Sequence, residues 1–284
     1  MISIITSFYD GNRYIKSYAN HLKKAIDQLN CSEFEVIIIN DSPSIDIDTK
    51  LLKMLPNLRI IKNNHNIGIH KSRIKGYNLS HGEYILFLDQ DDYINEDFFV
   101  KTISYMQNYD VCVTNGYYEK ANTSELIYKN SFTQKQISNM KCMFTYRNLI
   151  ISPGQCLIKK KSVPSLWIKQ SLKVNGADDY MLWLLMLIEN KKFAMINEPL
   201  YVHTYNGGNL SLNENNMLES IFEMYEIMNA EINNKNLNKM LKSYKFKYQL
   251  KNVQSINKIL IILKHPICFI KNAIYFLLIK MVRL

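Results

Sequence analysis

The chain is poor in the residues that interrupt regular structure, with nine glycines and six prolines in 284 positions. That scarcity excludes a low-complexity or all-turn protein. Its five cysteines, Cys31, Cys112, Cys142, Cys156 and Cys268, are scattered and form no CxxC pair. Neither a disulfide framework nor a zinc site is suggested, and a reducing compartment fits. No uncharged apolar run approaches the ~20 residues that span a bilayer. The opening "MISIITSFYDGN" enters a strand-like run with no basic segment or cleavage site ahead of it. A secretory leader is therefore not expected, and a cytoplasmic protein is.

Acid is the other shortage, and it is local. From Lys235 to Leu284 there are eleven Lys and Arg and no Asp or Glu. Of the 35 basic residues, 24 remain in the rest of the chain against 25 acidic ones. The net charge of +10 thus belongs to a basic tail on a near-neutral body. With 47% hydrophobic and 12% aromatic residues the body has ample material for a core. The length suits one large domain, or one domain with an appendage.

Through the first half, short β-branched runs alternate with helical patterns. Strands are expected at 2–8, 35–40, 58–62, 84–89 and 111–115, and helices at about 13–29, 48–55, 69–79 and 95–106. Continuous apolar runs of this length suit a parallel sheet covered on both faces. The alternation predicts a doubly wound α/β sheet, in which ligands bind beyond the carboxyl ends of the strands. After residue 116 the rhythm weakens. The segment "YYEKANTSELIYKNSFTQKQ" reads as an exposed loop or hairpin, and "GADDYMLWLLMLIEN" as a helix with two aspartates in its first turn. Extended structure is expected in "FAMINEPLYVHTY", and helix from about 214 to the end.

One stretch demands a chemical explanation. "YILFLDQDDYINEDFF" is a run fit for a sheet interior that ends abruptly in Asp89, Asp91 and Asp92. Clustered carboxylates repel one another, and burying one unpaired costs several kcal/mol. A hard cation is one solution: Mg²⁺ or Mn²⁺ held by these carboxylates would offset their repulsion. A solvated turn followed by helix caps is the plainer alternative for the same residues.

The order of four motifs resembles family 2 glycosyltransferases of the GT-A fold, which move a sugar from a nucleotide-sugar, usually with inversion. The motifs are "ITSFYDGN", "IIINDSPS", "NHNIGIHKSRIKGYNLSHGEYILFLDQDD" and "GADDYMLWL", spread over roughly residues 1–211. The resemblance implies a GT-A domain over 1–212, with 1–115 as its nucleotide-binding half and 116–212 as its acceptor half. A helical basic extension, 213–284, follows. It also implies a nucleotide-sugar donor, with UDP as the family-level expectation for the nucleotide, and a glycan or lipid-linked acceptor in surface polysaccharide synthesis.

Residue by residue, the resemblance places Asp89 at the nucleotide's ribose and Asp91 on the metal, with Asp92 supporting and Asp89 as a second metal ligand; Gln90 is assigned to nucleotide-sugar binding. Asn40 and Asp41 take the position where a carboxylate meets the base, although "NDSPS" lacks the family's glycine there. Thr6 and Phe8 are expected to border that base. Arg73 corresponds to an arginine beside the base and diphosphate. Asp179 is the expected general base, since removing the acceptor's proton during in-line attack lowers the barrier. Asp178 replaces the usual glutamate and is assigned to acceptor contacts. The family's arginine and histidine after this helix are missing: Thr204 and Asn206 stand there, with His203 out of register. His203 or Asn206 is then the candidate diphosphate contact.

The tail "INKILIILKHPICFIKNAIYFLLIKMVRL" reads as a basic amphipathic helix interrupted at Pro266. Such helices lie on anionic membranes, which makes a peripheral location at the inner face of the plasma membrane the expectation. Packing on the body or in a homo-oligomer is the alternative. Nucleic acid is not expected, because no aromatic or glycine-rich platform accompanies the charge. Two other functions compete. A haloacid dehalogenase-like phosphatase also follows a strand with a DxD, but on its first strand rather than its fourth. A degenerate, membrane-associated glycosyltransferase would retain the fold and lack turnover.

Overall fold

The computed structural model describes residues 1–30, 33–120, 123–145, 148–207, 213–232, 237–239 and 255–267, and positions 246, 250, 269, 270 and 273. Its strands are β1 (Ile2–Phe8), β2 (Phe34–Asn40), β3 (Leu58–Lys62), β4 (Tyr84–Phe87), β5 (Tyr93–Ile94), β6 (Val111–Lys120), β7 (Thr123–Leu126), β8 (Cys156–Lys159) and β9 (Phe193–Tyr205). Its helices include α1 (Ile15–Asp27), α2 (Ile69–Leu79), α3 (Phe98–Ile103), α4 (Ser131–Lys135), α5 (Met140–Thr145), α6 (Ser165–Lys169), α7 (Asp178–Ile188) and α8 (Glu214–Glu231).

The strands form one sheet in the order β3-β2-β1-β4-β8-β6-β9-β5, with β7 added to β6 as a hairpin. β3, β2, β1 and β4 run parallel, as do β6 and β9, while β8 is antiparallel to both its neighbours. Alternate residues of a strand serve opposite faces, so Ile4 and Ile5 enter different cores. The core that holds Ile4 is closed by Leu22 and Ile26 of α1 and Phe98 of α3; the other is closed by Trp183 of α7 and Tyr225 of α8. Helices thus cover both faces, the α/β arrangement expected from the alternating pattern.

Local chemistry accounts for the departures. The helix expected at 48–55 is reduced to a single 3-10 turn, Leu52–Met54. Pro56 stops it, and Asn57, with φ at 45°, turns the chain into β3. The strand expected to end at 115 runs on to Lys120, carried past irregularities at Thr114 and Asn115 by its pairing with β9. α8 is fixed to the body rather than projecting from it. Its Ser220 hydroxyl accepts from the Ala177 amide (3.0 Å) and donates to the Val174 carbonyl (2.8 Å), and Met224, Tyr225 and Met228 are buried. In the basic extension a further helix spans Ser255–Lys264; most of the remaining tail expectation lies outside the described residues.

Candidate active site

A cavity of about 850 Å³ opens at the carboxyl ends of β1, β2 and β4, where an open α/β sheet receives ligands. Two aspartates from the start of α7 and two from the loop after β4 face it. The apolar remainder of α7 drives that helix into the core, with Tyr180 through Leu187 buried, and this anchoring fixes its polar first turn.

Arg73 joins these elements. It is 4% exposed on α2, and its guanidinium donates to Asp89 Oδ1 at 2.5 Å and to Asp178 Oδ2 at 2.7 Å. A buried cation of this kind is tolerated only when paired and hydrogen-bonded, and both carboxylates meet that need. Burial alone would raise the Asp178 carboxyl; the Arg73 charge and hydrogen bond outweigh it and hold the group below the ordinary range. Asp179 is in the opposite state. Burial and then the neighbouring Asp178 charge push it up to about 7. Its Oδ2 accepts from Asn148 Nδ2 at 2.8 Å.

Asp91 is likewise pushed up, to about 6, by burial and by the charges of Asp92 and Asp89. It accepts from Asn206 Nδ2 at 2.6 Å. Asp92 is turned away from the cavity, accepting from the Tyr201 hydroxyl and the Thr204 amide (2.9 Å), with His203 Nδ1 3.1 Å from its Oδ1. Burial opposes a charge on His203, but Asp92 and the other two aspartates prevail and its pKa rises above the usual value. His203 and Asn206 both line the cavity.

Several nucleotide-site candidates shape loops. Asp41 lines the cavity, and its carboxylate takes Asn63 Nδ2 (2.8 Å) and the amides of Ile67 (2.8 Å) and Gly68 (2.9 Å), ordering the turn into α2. Asn40 donates to the Ile45 carbonyl and accepts from the Ser42 amide. Gln90 pairs with the Tyr9 peptide at both ends, 2.9 Å each, and a Cβ on Gly11 would come 2.2 Å from its Oε1. Thr6 and Phe8 do not line the cavity: Thr6 Oγ1 meets the Tyr18 hydroxyl at 2.7 Å, and Phe8 packs in the core with α1. By strand alternation Ser7 and the 57% exposed Tyr9 face the cavity instead.

Asn148, Ser152, Asn175 and Tyr118 also line the cavity and were not legible in the motifs. Ser152 donates to Asp89 Oδ2 at 3.1 Å, and Asn175 Oδ1 accepts the Ile69 amide at the head of α2. For Tyr9, the two-residue period of β1 carried the necessary signal. Asn148 and Ser152 lie after a long irregular segment whose path no local pattern sets.

Among the described residues no group of three or more His, Cys, Asp or Glu side chains is arranged to hold a metal. The acids at the end of β4 nonetheless fit a cation that takes one protein carboxylate and completes its shell with substrate phosphates and water. Both Asp89 oxygens are engaged by Arg73 and Ser152, whereas Asp91 remains in the cavity under the repulsion of two neighbouring carboxylates.

A mostly parallel α/β sheet with an acidic strand end and a second acidic pair across the cavity is the architecture of the GT-A fold. The sequence model of glycosyl transferase family 2 matches residues 3–167, and the chain belongs to that family. It is 26% identical over 210 residues to an uncharacterized glycosyltransferase of Methanocaldococcus jannaschii, covering 70% of this chain and 69% of that protein. It is 27% identical to the UDP-Glc:alpha-D-GlcNAc-diphosphoundecaprenol beta-1,3-glucosyltransferase WfaP of Escherichia coli, covering 78% of this chain and 86% of that protein. Matches to two longer curated relatives span only 22% and 30% of their length. The fold is shared with Staphylococcus aureus TarS 1-349, whose crystal structure in complex with UDP-GlcNAc superposes with a TM-score of 0.62 at 18% identity, over 88% of this chain and 74% of that one.

Proposed function

We propose that this chain transfers a sugar from a UDP-sugar to a hydroxyl of a glycan or lipid-linked acceptor in surface polysaccharide synthesis, inverting the anomeric carbon. The observation that carries the reading is Asp179: a carboxyl with pKa about 7, facing the same cavity as Asp91. A base poised near the working pH combines sufficient ionisation with sufficient proton affinity. The acceptor oxygen forms its bond to the anomeric carbon while its proton passes to Asp179. The bond from that carbon to the diphosphate oxygen breaks, and the nucleoside diphosphate departs with the electron pair. A single displacement of this kind inverts the centre.

Other residues bind and orient. Arg73 keeps Asp178 ionised, and that charge in turn raises Asp179. His203, drawn toward its protonated form by Asp92, offers positive charge to the donor's phosphates. Asp91 is the residue we assign to Mg²⁺ or Mn²⁺; when bound, that ion supplies Lewis-acid neutralisation of the leaving diphosphate. The relatives support the chemistry by name: WfaP uses a UDP-sugar and a diphosphoundecaprenol-linked acceptor, and TarS binds UDP-GlcNAc. The test is Asp179→Asn. Turnover falls by about 10²–10⁴ while calorimetric binding of UDP is kept; unchanged turnover would remove Asp179 from the base role.

A further inference from the structure

We propose that the helix Ser255–Lys264 and the residues just after it form a docking face for an anionic lipid surface. On this helix Ile259, Leu260 and Leu263 are 60%, 55% and 70% exposed. Advancing about 100° per residue, these three fall in one arc of about 100°. Ile261 and Ile262, on another side of the helix, are half-buried, and the His265 ring lies 6.0 Å from the buried Phe246. One flank is therefore tied to other residues of the chain while a second apolar face stays open. A helix made only to pack on the body has no use for that second face.

The open face continues beyond the interruption. The helix pauses at His265 and resumes at Pro266, which tolerates the first position of a new helix because its missing N–H has no partner there. The amide of Phe269 then bonds the His265 carbonyl at 3.1 Å. Ile267 and Ile270, 69% and 55% exposed, extend the apolar surface. No described helix is long and apolar enough to cross a membrane.

Charge selects the occupant. Lys258 and Lys264 are exposed, each lying outside the apolar arc, and the fifty residues from Lys235 onward carry eleven cations and no acid. A protein partner or a second copy of this face could cover the leucines and isoleucines. It would then confront like charge, or need an acidic complement, and the tail has none to give a second copy. A bilayer with anionic headgroups satisfies both halves, taking the apolar side chains at the headgroup boundary and the lysines at its negative surface.

The experiment is flotation of the full chain with phosphatidylcholine vesicles, with and without about one third phosphatidylglycerol, compared with Ile259→Ser/Leu263→Ser and Lys258→Glu/Lys264→Glu. We expect the native chain to float with the anionic vesicles alone and to be released by high salt. Each double variant should lose at least about tenfold in binding while keeping its melting temperature, since the altered side chains are exposed. UDP affinity should be unchanged in all three, so this outcome is read independently of the catalytic assignments. Failure of the native chain to float, equal flotation of the Ile259→Ser/Leu263→Ser variant, or self-association that depends on Leu263 in sedimentation equilibrium would overturn the proposal.

Discussion

Asp178 and Asp179 are adjacent carboxyls on one turn of α7, yet the protein shifts them in opposite directions, Asp178 below the ordinary carboxylate range and Asp179 up to about 7. The difference is Arg73, which bonds Asp178 and leaves Asp179 with Asn148 and with the repulsion of its neighbour. Titratable groups facing Asp179 come from three other elements: Arg73 on α2, Asp89 after β4 and Cys156 on β8. On the proposed assignment of Asp179 as the base, which acts ionised, kcat should rise tenfold per pH unit below about 7 and level off above it. Stability runs the other way. A carboxyl raised from 3.8 to about 7 by folding contributes stability that is full below pH 3.8 and lost as pH rises through 7. Asp179→Asn removes that loss, so at pH 8 this variant should melt several degrees higher than the native chain, and at pH 4 the two should coincide. Arg73→Leu has the reverse character. It strands two inward carboxylates and should cost about 3–5 kcal/mol in urea unfolding at pH 7, with the deficit shrinking in acid as Asp178 protonates.

At the scale of elements, the turn into α2 shows how the site is framed. Gly68 has φ 89° and ψ 160°, a region essentially restricted to glycine. Its amide bonds Asp41, and an added Cβ would lie 2.9 Å from Asn175 Oδ1. Gly68→Ala should therefore cost about 1–3 kcal/mol in thermal unfolding and weaken UDP binding through the displaced turn; an undisturbed binding isotherm would show that this turn does not frame the donor. The glycine, the basic helix and the acidic strand end were legible in sequence because each is local, set by spacing along one segment. So were the four parallel strands, whose apolar runs leave no other face to bury. What one segment could not disclose was which distant segment would meet it. The partnership of Asn148 with Asp179, of Ser152 with Asp89 and of Asn206 with Asp91 joins residues 31, 63 and 115 positions apart. Thr6 and Phe8 illustrate a smaller limit: the right strand end was found, but the phase of its alternation decides which neighbours reach the cavity, and these are Ser7 and Tyr9.

The molecule as a whole is built around a cavity whose walls come from both the strand ends and α7, so a ligand that fills it ties the two parts together. Anything that binds the folded state alone stabilises it, by about 2.7 kcal/mol at a hundredfold excess over Kd. UDP with Mn²⁺ should accordingly raise the melting temperature by several degrees, and EDTA should take back most of the gain. Asp91 makes the test specific because one substitution carries two opposite signs. Without ligand, Asp91→Asn relieves the burial of a charge and the repulsion from Asp92 and Asp89 that together lift this carboxyl to about 6. Stability tied to its proton is lost as pH rises through 6, so above that pH the variant should be the more stable apo-protein. With UDP and Mn²⁺ present the order should invert, because the variant has surrendered the carboxylate assigned to the ion and gains no more than it does from UDP in EDTA. A general structural role for Asp91 moves both measurements in one direction; a carboxylate kept in self-repulsion for the sake of a cation moves them apart. Should the variant keep the full manganese-dependent increment, the ion is held elsewhere in the cavity and the assignment to Asp91 fails.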